Sequence, residues 1–393
     1  METRKYYYED SHRTEMTATV LSCEEGKKGF EVVLSGTVFF PEGGGQSADT
    51  GVFYISEEET VSVLDVHERN GIIYHTTDQP VEPGTELRGE IDWNERFSKM
   101  QNHSGEHLVS GIIHRLFQYN NVGFHLGSTD VTIDFDGPLT REQLNQVEQM
   151  ANEAVFLNLP VLEEFPDREH LATMEYRSKT EISGQVRIVT IPGYDCCACC
   201  APHVKTTGEI GIIKFLDAVS YKGGMRVHML CGRRAVLDYE SRYEAVARIS
   251  ALLSAKQAET PEAVAHMKEE VKGLKEEISG WKQALIGEKL LSLPEGEDPL
   301  CFFEDRLSGD ELRKLIDGAA RKRTGLCIGF HGTEGSYQFV MAGQKGDMRT
   351  ESKAFLAAVG GRGGGTARMA QGMVTARRVD VEAYFSTLKV QEL

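Results

Sequence analysis

Over residues 1–92 the apolar positions come in short runs, among them Met16 to Leu21, Phe30 to Leu34, Val61 to Val66 and Gly71 to His75, separated by Gly, Asp, Glu and Pro. Runs of that length with that punctuation predict strands, and their succession predicts a small β-barrel. From Trp93 the period changes. Met100, His103, His107, Leu108, Gly111 and Ile112 recur mostly at intervals of three and four, which predicts a helix, and a second helix is expected over Thr140 to Leu157. Strand-like Val131 to Phe135, Val186 to Ile191 and Ile210 to Leu216 interleave with these helices, so residues 93–234 read as an α+β domain.

After Gly232 the chain turns helical, with a break at Glu259-Thr260-Pro261, where Thr can cap and Pro can take the first helical position. Beyond the break, Val264, Met267, Val271, Leu274, Ile278, Trp281 and Leu285 alternate at spacings of three and four. Apolar a and d positions in that rhythm predict a coiled-coil seam within residues 235–293, and a hairpin folded on its own chain is the alternative. Residues 294–393 read as a compact α/β unit. It has strands at Leu300 to Phe303, Leu326 to Phe330 and Tyr337 to Met341, helices at Gly309 to Arg321 and Lys353 to Val359, and then the glycine run Gly360 to Gly365.

Composition narrows the functional classes. A chain of 393 residues with 40% hydrophobic and 26% charged residues can bury a sizeable core, which excludes disordered and fibrous classes. A net charge of −17 excludes a protein that coats nucleic acid with its whole surface, so any such contact must be a local patch. One stretch qualifies. Between 345 and 378, Lys345, Arg349, Lys353, Arg362, Arg368, Arg377 and Arg378 face only Asp347 and Glu351, beside a glycine run whose bare amides can approach phosphate. The N-terminus leads into Tyr and Asp rather than an apolar segment, and no run of about 18 apolar residues occurs, so a cytoplasmic protein without membrane partners is expected.

Four of the eight cysteines crowd into residues 196–200, a pattern that points to a metal or a reactive thiol rather than to disulfides. His103-Ser104-Gly105-Glu106-His107 stacks two imidazoles one helical turn apart, and Cys199-Cys200-Ala201-Pro202-His203 supplies a thiolate and a third imidazole. His103, His107, Cys199 and His203 together suit tetrahedral Zn(II), one per chain. Cys196, Cys197 and Cys200 compete with Cys199 for the role of thiolate, but the spacing to His203 favours Cys199. His114 lies two turns on from His107, too far along the axis to share the ion. Asp195 is a candidate partner for a ligand histidine or an ordinary surface acid. His-x-x-Glu-His is also the inverted zincin signature, in which Glu106 would serve as general base of a metalloprotease, though this would leave the Cys-His element without a purpose.

Four motifs, taken in order, carry a family resemblance: Thr37-Val38-Phe39-Phe40-Pro41-Glu42-Gly43-Gly44-Gly45-Gln46, the His103/His107 helix, Cys199/His203 followed by Thr207-Gly208-Glu209-Ile210-Gly211, and Gly223-Gly224-Met225-Arg226-Val227. The chain resembles the free-standing alanyl-tRNA editing proteins of the long AlaX type, related to the editing and C-terminal domains of alanyl-tRNA synthetase, over almost its whole length. The resemblance implies that residues 93–234 are a zinc-binding tRNA editing domain and that 294–393 are a DHHA1-type domain, while the repeat from Val264 to Leu285 leads us to expect that 235–293 dimerise the chain with a second copy. It implies an ATP-independent hydrolase that deacylates Ser-tRNA(Ala), with Gly-tRNA(Ala) as a further candidate. Gln46 would orient water or substrate, Thr37 would sense the serine hydroxyl, and Arg362, Arg368, Arg377 and Arg378 would contact tRNA(Ala). One departure stands out: the family's Cys-Gly-Gly-Thr-His is here Cys199-Cys200-Ala201-Pro202-His203, stiffer and without the hydroxyl. No Asp-His-His triplet accompanies the DHHA1-type element, so phosphoesterase chemistry is not expected. The chain opens directly on the barrel, so a synthetase's aminoacylation domain is expected to be missing. The alternatives are a non-catalytic, zinc-containing tRNA-binding dimer and the inverted-zincin protease.

Overall fold

In the computed structural model the strand Glu15–Gly26 alternates strictly over its first half, burying Met16, Ala18 and Val20 and exposing the residues between. That period-two pattern closes a six-stranded antiparallel barrel in the order 15–26, 29–34, 72–77, 60–69, 51–54, 86–91 and back to 15–26. Residues 2–127, 130–178 and 185–388 are described. They form two compact units, Met1–Ala247 and Arg248–Leu393. The folding pattern is mixed α+β, with the barrel and eight α-helices among the described residues, none long and apolar enough to cross a membrane.

The barrel interior holds Phe39, Phe53 and one buried imidazole, His75, in edge-to-face contact. His75 is fully paired. Its Nδ1–H donates to the Val32 carbonyl at 3.1 Å, and its Nε2 accepts from the Thr37 hydroxyl at 2.8 Å. The Phe39 amide in turn donates to the Thr37 oxygen at 3.0 Å. Burial pushes His75 down to about 4, so the ring is neutral near pH 7.

A 25-residue helix, α1, Trp93–Phe117, follows the last barrel strand, with the Asp92 carboxylate capping the Glu95 amide. It packs with the second helix, Arg141–Leu157, and a four-stranded antiparallel sheet in the order 213–221, 224–231, 131–135, 121–126. The expected strand Ile210 to Leu216 is split. Thr207–Ile210 forms a 3₁₀ turn that ends on Gly211, whose φ is 73°, and the strand proper is Ile213–Tyr221. A three-stranded sheet, 162–164, 188–191 and 195–198, brings the cysteine cluster back against α1.

Two buried cations fasten the start of α1 to the loop that follows Thr37. Arg96, fully buried, binds both carboxylate oxygens of Asp49 and donates to the carbonyls of Val38 and Ser11. Lys99 donates to the Ala48 carbonyl at 2.6 Å and pairs with Glu95. Asp49 also accepts from the Phe40 amide at 2.7 Å, so one carboxylate orders the helix and the loop together.

In the second unit the strands run 300–303, 327–333, 336–342, 369–374, 361–365, with only the first pair parallel. The glycine run is therefore an exposed edge strand, Gly361–Gly365, rather than a loop. Helix Thr260–Ser292 is continuous, and Val264, Met267, Val271, Leu274, Ile278 and Trp281 stand exposed along it, whereas Ile286 is buried.

Asp49→Ala should destabilise the first unit by about 3–5 kcal/mol, since it strands a buried guanidinium. Urea unfolding followed through Trp93 fluorescence measures this, and a loss under about 1 kcal/mol would mean that the ion pair does not fasten the loop.

Candidate metal centre

One turn of α1 projects His103 and His107 in the same direction, and the loop after the strand Asp195–Ala198 brings Cys199 and His203 to meet them. One donor atom from each of the four lies within 4.8 Å of every other. His103 Nε2 is 3.6 Å and His203 Nε2 3.3 Å from the Cys199 sulfur. Tetrahedral zinc with bonds of about 2.0–2.3 Å sets neighbouring donors roughly 3.3–3.7 Å apart, so the set fits that ion.

The outward nitrogens support the same conclusion. His103 Nδ1 lies 3.0 Å from Gln46 Oε1, His107 Nδ1 2.9 Å from Asp195 Oδ2, and His203 Nδ1 3.0 Å from Ser104 Oγ. When Nδ1–H donates outward, the Nε2 lone pair is left for a metal in all three rings. The Asp195 carboxylate is itself held by Arg177 Nε at 2.7 Å. A second grouping, His107, Asp195 and Cys197, lies nearby. It is the weaker set, because Asp195 is committed to His107 and Arg177 and burial pushes the Cys197 thiol up.

Charge follows geometry. Burial works against ionisation of Cys199, but His103 and His203 beside it hold the thiol well below the usual range. Burial likewise opposes charge on His107, yet hydrogen bonds to Asp195 and Cys199 carry it up to about 10, whereas burial takes His203 down to about 3. Cys200 is pushed up to about 11 by burial and by the neighbouring Cys199. Its sulfur lies against Gly43 and Gly44, at the edge of the glycine loop.

Close approach of backbones makes the site possible. A Cβ on Gly111 would fall 2.4 Å from the Tyr194 carbonyl and 2.8 Å from Asp195 Cβ, so only glycine lets the loop bring Asp195 to His107, one turn earlier. A Cβ on Gly45, at φ 83°, would strike Phe124, and the Gly45 carbonyl accepts from the Leu126 amide. Those contacts fix the loop that carries Gln46. The Gln46 side chain is 1% exposed, and its Nε2 has no hydrogen-bond partner among the described residues.

A cleft of about 650 Å³ opens over His103, His107, Cys199 and Cys200. Thr37 is not among its lining residues, and its hydroxyl is bonded within the barrel to His75. Glu106 is buried beside His107 with its carboxylate held by Ser110 and Asn121. His114 is half-buried and belongs to neither metal grouping. Arg362 and Arg368 have no side-chain partner among the described residues, whereas Arg377 pairs with Asp380 and Arg378 with Glu382. Three residues of the site carried no sequence signal: Ser104, Arg177 and Arg187. The last binds the carbonyls of Cys199 and Ala201 at 2.9 and 2.8 Å and so holds the ligand loop.

Residues 3–95 match the family described as tRNA synthetases class II (A), and residues 186–231 match the threonyl and alanyl tRNA synthetase second additional domain. Barrel, metal centre and these matches together define a module of the alanyl-tRNA synthetase lineage. The chain is 28% identical over 410 residues to the alanyl-tRNA editing protein Aarsd1 of Rattus norvegicus, covering 98% of each. It is 32% identical to the alanyl-tRNA editing protein AlaX-L of Pyrococcus horikoshii, over 59% of each chain. It is also 33% identical to an alanine–tRNA ligase of Halorubrum lacusprofundi, over 68% of this chain but only 30% of the ligase. Over nearly its whole length the chain is thus similar to alanyl-tRNA editing proteins.

Purified protein should carry one zinc per chain, and Cys199→Ala should lose it while Cys197→Ala and Cys200→Ala keep it. Asp195→Asn should weaken zinc binding by about 10–100-fold. Metal analysis with a competing chelator reads both, and retention of full zinc by Cys199→Ala would assign the thiolate elsewhere.

Proposed function

We propose that this protein is a trans-editing hydrolase that deacylates mischarged tRNA(Ala), clearing serine first and glycine second. The observation that carries this reading is Gln46: its carbonyl oxygen is fixed on His103 Nδ1 and its amide nitrogen is an unpaired buried donor beside the donor set.

The bond to be broken is an activated ester between an amino acid and the terminal ribose, so the chain needs to admit the acyl group, position a water and stabilise developing charge. His103, His107, Cys199 and His203 would hold Zn(II), which when bound would supply a fixed dication that organises the pocket. Four protein donors fill a tetrahedral shell, which favours that organising role over a metal-bound nucleophile. The free Gln46 amide donates to the attacked carbonyl oxygen or to the water. Thr37 gives its proton to His75 and accepts from the Phe39 amide, and one oxygen lone pair remains to accept from a serine hydroxyl. Glu106 is already engaged by Ser110 and Asn121, which argues against its acting as the base of a protease.

The second unit serves as the DHHA1-type domain in this reading, and Arg362 and Arg368 on the glycine hairpin are the foremost phosphate contacts. Arg377 and Arg378 join them at the cost of exposed ion pairs that are individually weak. The seam from Val264 to Trp281, between 37% and 69% exposed, is covered by a second copy of the chain. The protein works in the cytoplasm.

Zinc-loaded protein should hydrolyse Ser-tRNA(Ala), act more slowly on Gly-tRNA(Ala) and spare Ala-tRNA(Ala). Gln46→Ala should slow hydrolysis about 10²-fold or more with zinc retained, and Thr37→Val should erode the preference for serine. Intact Ser-tRNA(Ala) after incubation with fully loaded protein would overturn the hydrolase reading, and glutamate-dependent cleavage of peptides through Glu106 would replace it.

Light scattering should give the mass of two chains, and Val271→Glu with Leu274→Glu should give one. A parent protein that stays monomeric at high micromolar concentration would favour the intrachain hairpin.

A further inference from the structure

The cleft over the four donors continues to an outer wall of Tyr8, Phe165, Lys5 and Arg187, of which only Arg187 has a part in the donor set, through the loop of Cys199. Tyr8 and Phe165 meet there edge to face, with ring centroids 5.4 Å apart and planes at 68°. Lys5 Nζ and Arg187 Cζ lie 5.6 and 5.2 Å from the centroid of Tyr8. Tyr7 is fully buried against Phe40 in the barrel core, whereas Tyr8 packs against that core only in part and also lines the cleft, and Phe165 is 40% exposed. An apolar ring left at a cleft rim is the informative kind of exposure.

The charges say what the wall can hold. Lys5 is paired with Glu68 at 2.8 Å, and Arg187 with Glu163 at 2.7 Å, so each cation already has its carboxylate. No net positive charge is left for a phosphate group. The wall offers π-faces and polarised edges, which suit a flat, uncharged heteroaromatic ring. Given the deacylase reading, on which this inference rests, the substrate brings such a ring into this cleft: the acyl group is esterified to the ribose that carries the terminal adenine.

We propose that Phe165 is the stacking face, and Tyr8 the back wall, of a binding site for the terminal adenine base of the tRNA acceptor end. The free face of Phe165 takes the base, and Tyr8, held by Lys5 and Arg187, keeps Phe165 from turning away. Two links tie the wall to the reaction site. Arg187 also grips the carbonyls of Cys199 and Ala201, and Lys5 is in register with Thr37 in the short parallel ladder of Arg4–Lys5 with Gly36–Thr37. The two cations that hold Tyr8 are therefore fixed to the loop of Cys199 and to the barrel motif.

The test uses full-length, zinc-loaded protein, steady-state deacylation of Ser-tRNA(Ala), and tRNA(Ala) carrying 2-aminopurine in place of the terminal adenine, whose fluorescence falls on stacking. Parent protein should quench the probe. Phe165→Leu should abolish the quench and raise KM about tenfold or more, with kcat changed less than about twofold. Phe165→Tyr should restore both, and Tyr8→Leu should behave as Phe165→Leu with zinc content unchanged. Because Phe165 lies at the rim, its variants carry the result even where Tyr8→Leu fails to fold. If Phe165→Leu retains zinc and leaves both KM and quench unchanged, or if the parent deacylates without quenching, the adenine platform is wrong. A quench that depends on Phe165 in a parent unable to deacylate Ser-tRNA(Ala) would keep the platform and overturn the deacylase reading.

Discussion

The helix Trp93–Phe117 is buried along most of its length although its middle turns carry Gln101, Asn102, His103, Ser104, Glu106 and His107. Each such group taken from water without a partner costs about 1–3 kcal/mol. The rest of the first unit can be understood as the supply of those partners. Gln101 donates to the Glu209 carbonyl, and Asn102 accepts from the Cys231 amide. Gln46 comes from the barrel loop to His103, His203 from the ligand loop to Ser104, Asp195 from the cysteine strand to His107, and Asn121 to Glu106. The metal centre is the place where partners from three separate elements converge on one helical turn. Its assembly therefore depends on the barrel, the sheet and the ligand loop all being folded.

That dependence explains why the electrostatics of neighbouring imidazoles diverge. His107 faces a carboxylate that Arg177 keeps ionised: burial opposes charge on Asp195, but His107 and Arg177 hold it below the usual carboxylate range. His203 meets a hydroxyl in place of a carboxylate at Nδ1, and burial drives it neutral although Cys199 beside it favours the charged form. A dication held by these donors would replace the proton that His107 otherwise keeps and would offset the charge of the Cys199 thiolate, which would couple metal uptake to proton release.

Much of this was legible in the chain because it rests on short-range periodicity and fixed spacing. The alternation in Met16 to Leu21 and the three-four rhythm around His103 announced the barrel strand and the helix, and the His103/His107 and Cys199/His203 pairs lie together in the structure. Partners set by tertiary approach were not legible. Arg177 sits in unpatterned sequence, and Arg187 lies in a run whose strand pattern says nothing of its side chain; both matter because their segments pass the cysteine cluster. The strand Asp195–Ala198 was hidden, since four residues, Asp-Cys-Cys-Ala, are too short a run to announce its pairing with Ile188–Ile191. The charge count over 345–378 also overstated the patch. Glu297, Asp380 and Glu382, all outside that window, pair with Lys345, Arg377 and Arg378.

Among the buried polar atoms of the described residues that lack a hydrogen-bond partner, the amide nitrogen of Gln46 is the one on a side chain hydrogen-bonded to a histidine of the donor set. Gln46 is locked by the Gly45–Leu126 hydrogen bond on one side and His103 on the other, and its amide nitrogen is nonetheless left over. Turning the amide over would face a donor to the donating Nδ1 of His103, so the orientation that suits the metal is also the one that leaves the orphan. Burying that donor unpaired costs about 1–3 kcal/mol, a sum comparable to a tenth or more of the stability of an ordinary domain. Such a cost is recovered when something else supplies the acceptor. In the deacylase reading the acceptor is the reacting carbonyl oxygen or a water, so the same unpaired donor that weakens the empty fold strengthens binding of the reacting group. On the proposed reading, the arrangement that fixes the metal ligand therefore also prepares the polar contact that the hydrolysis requires.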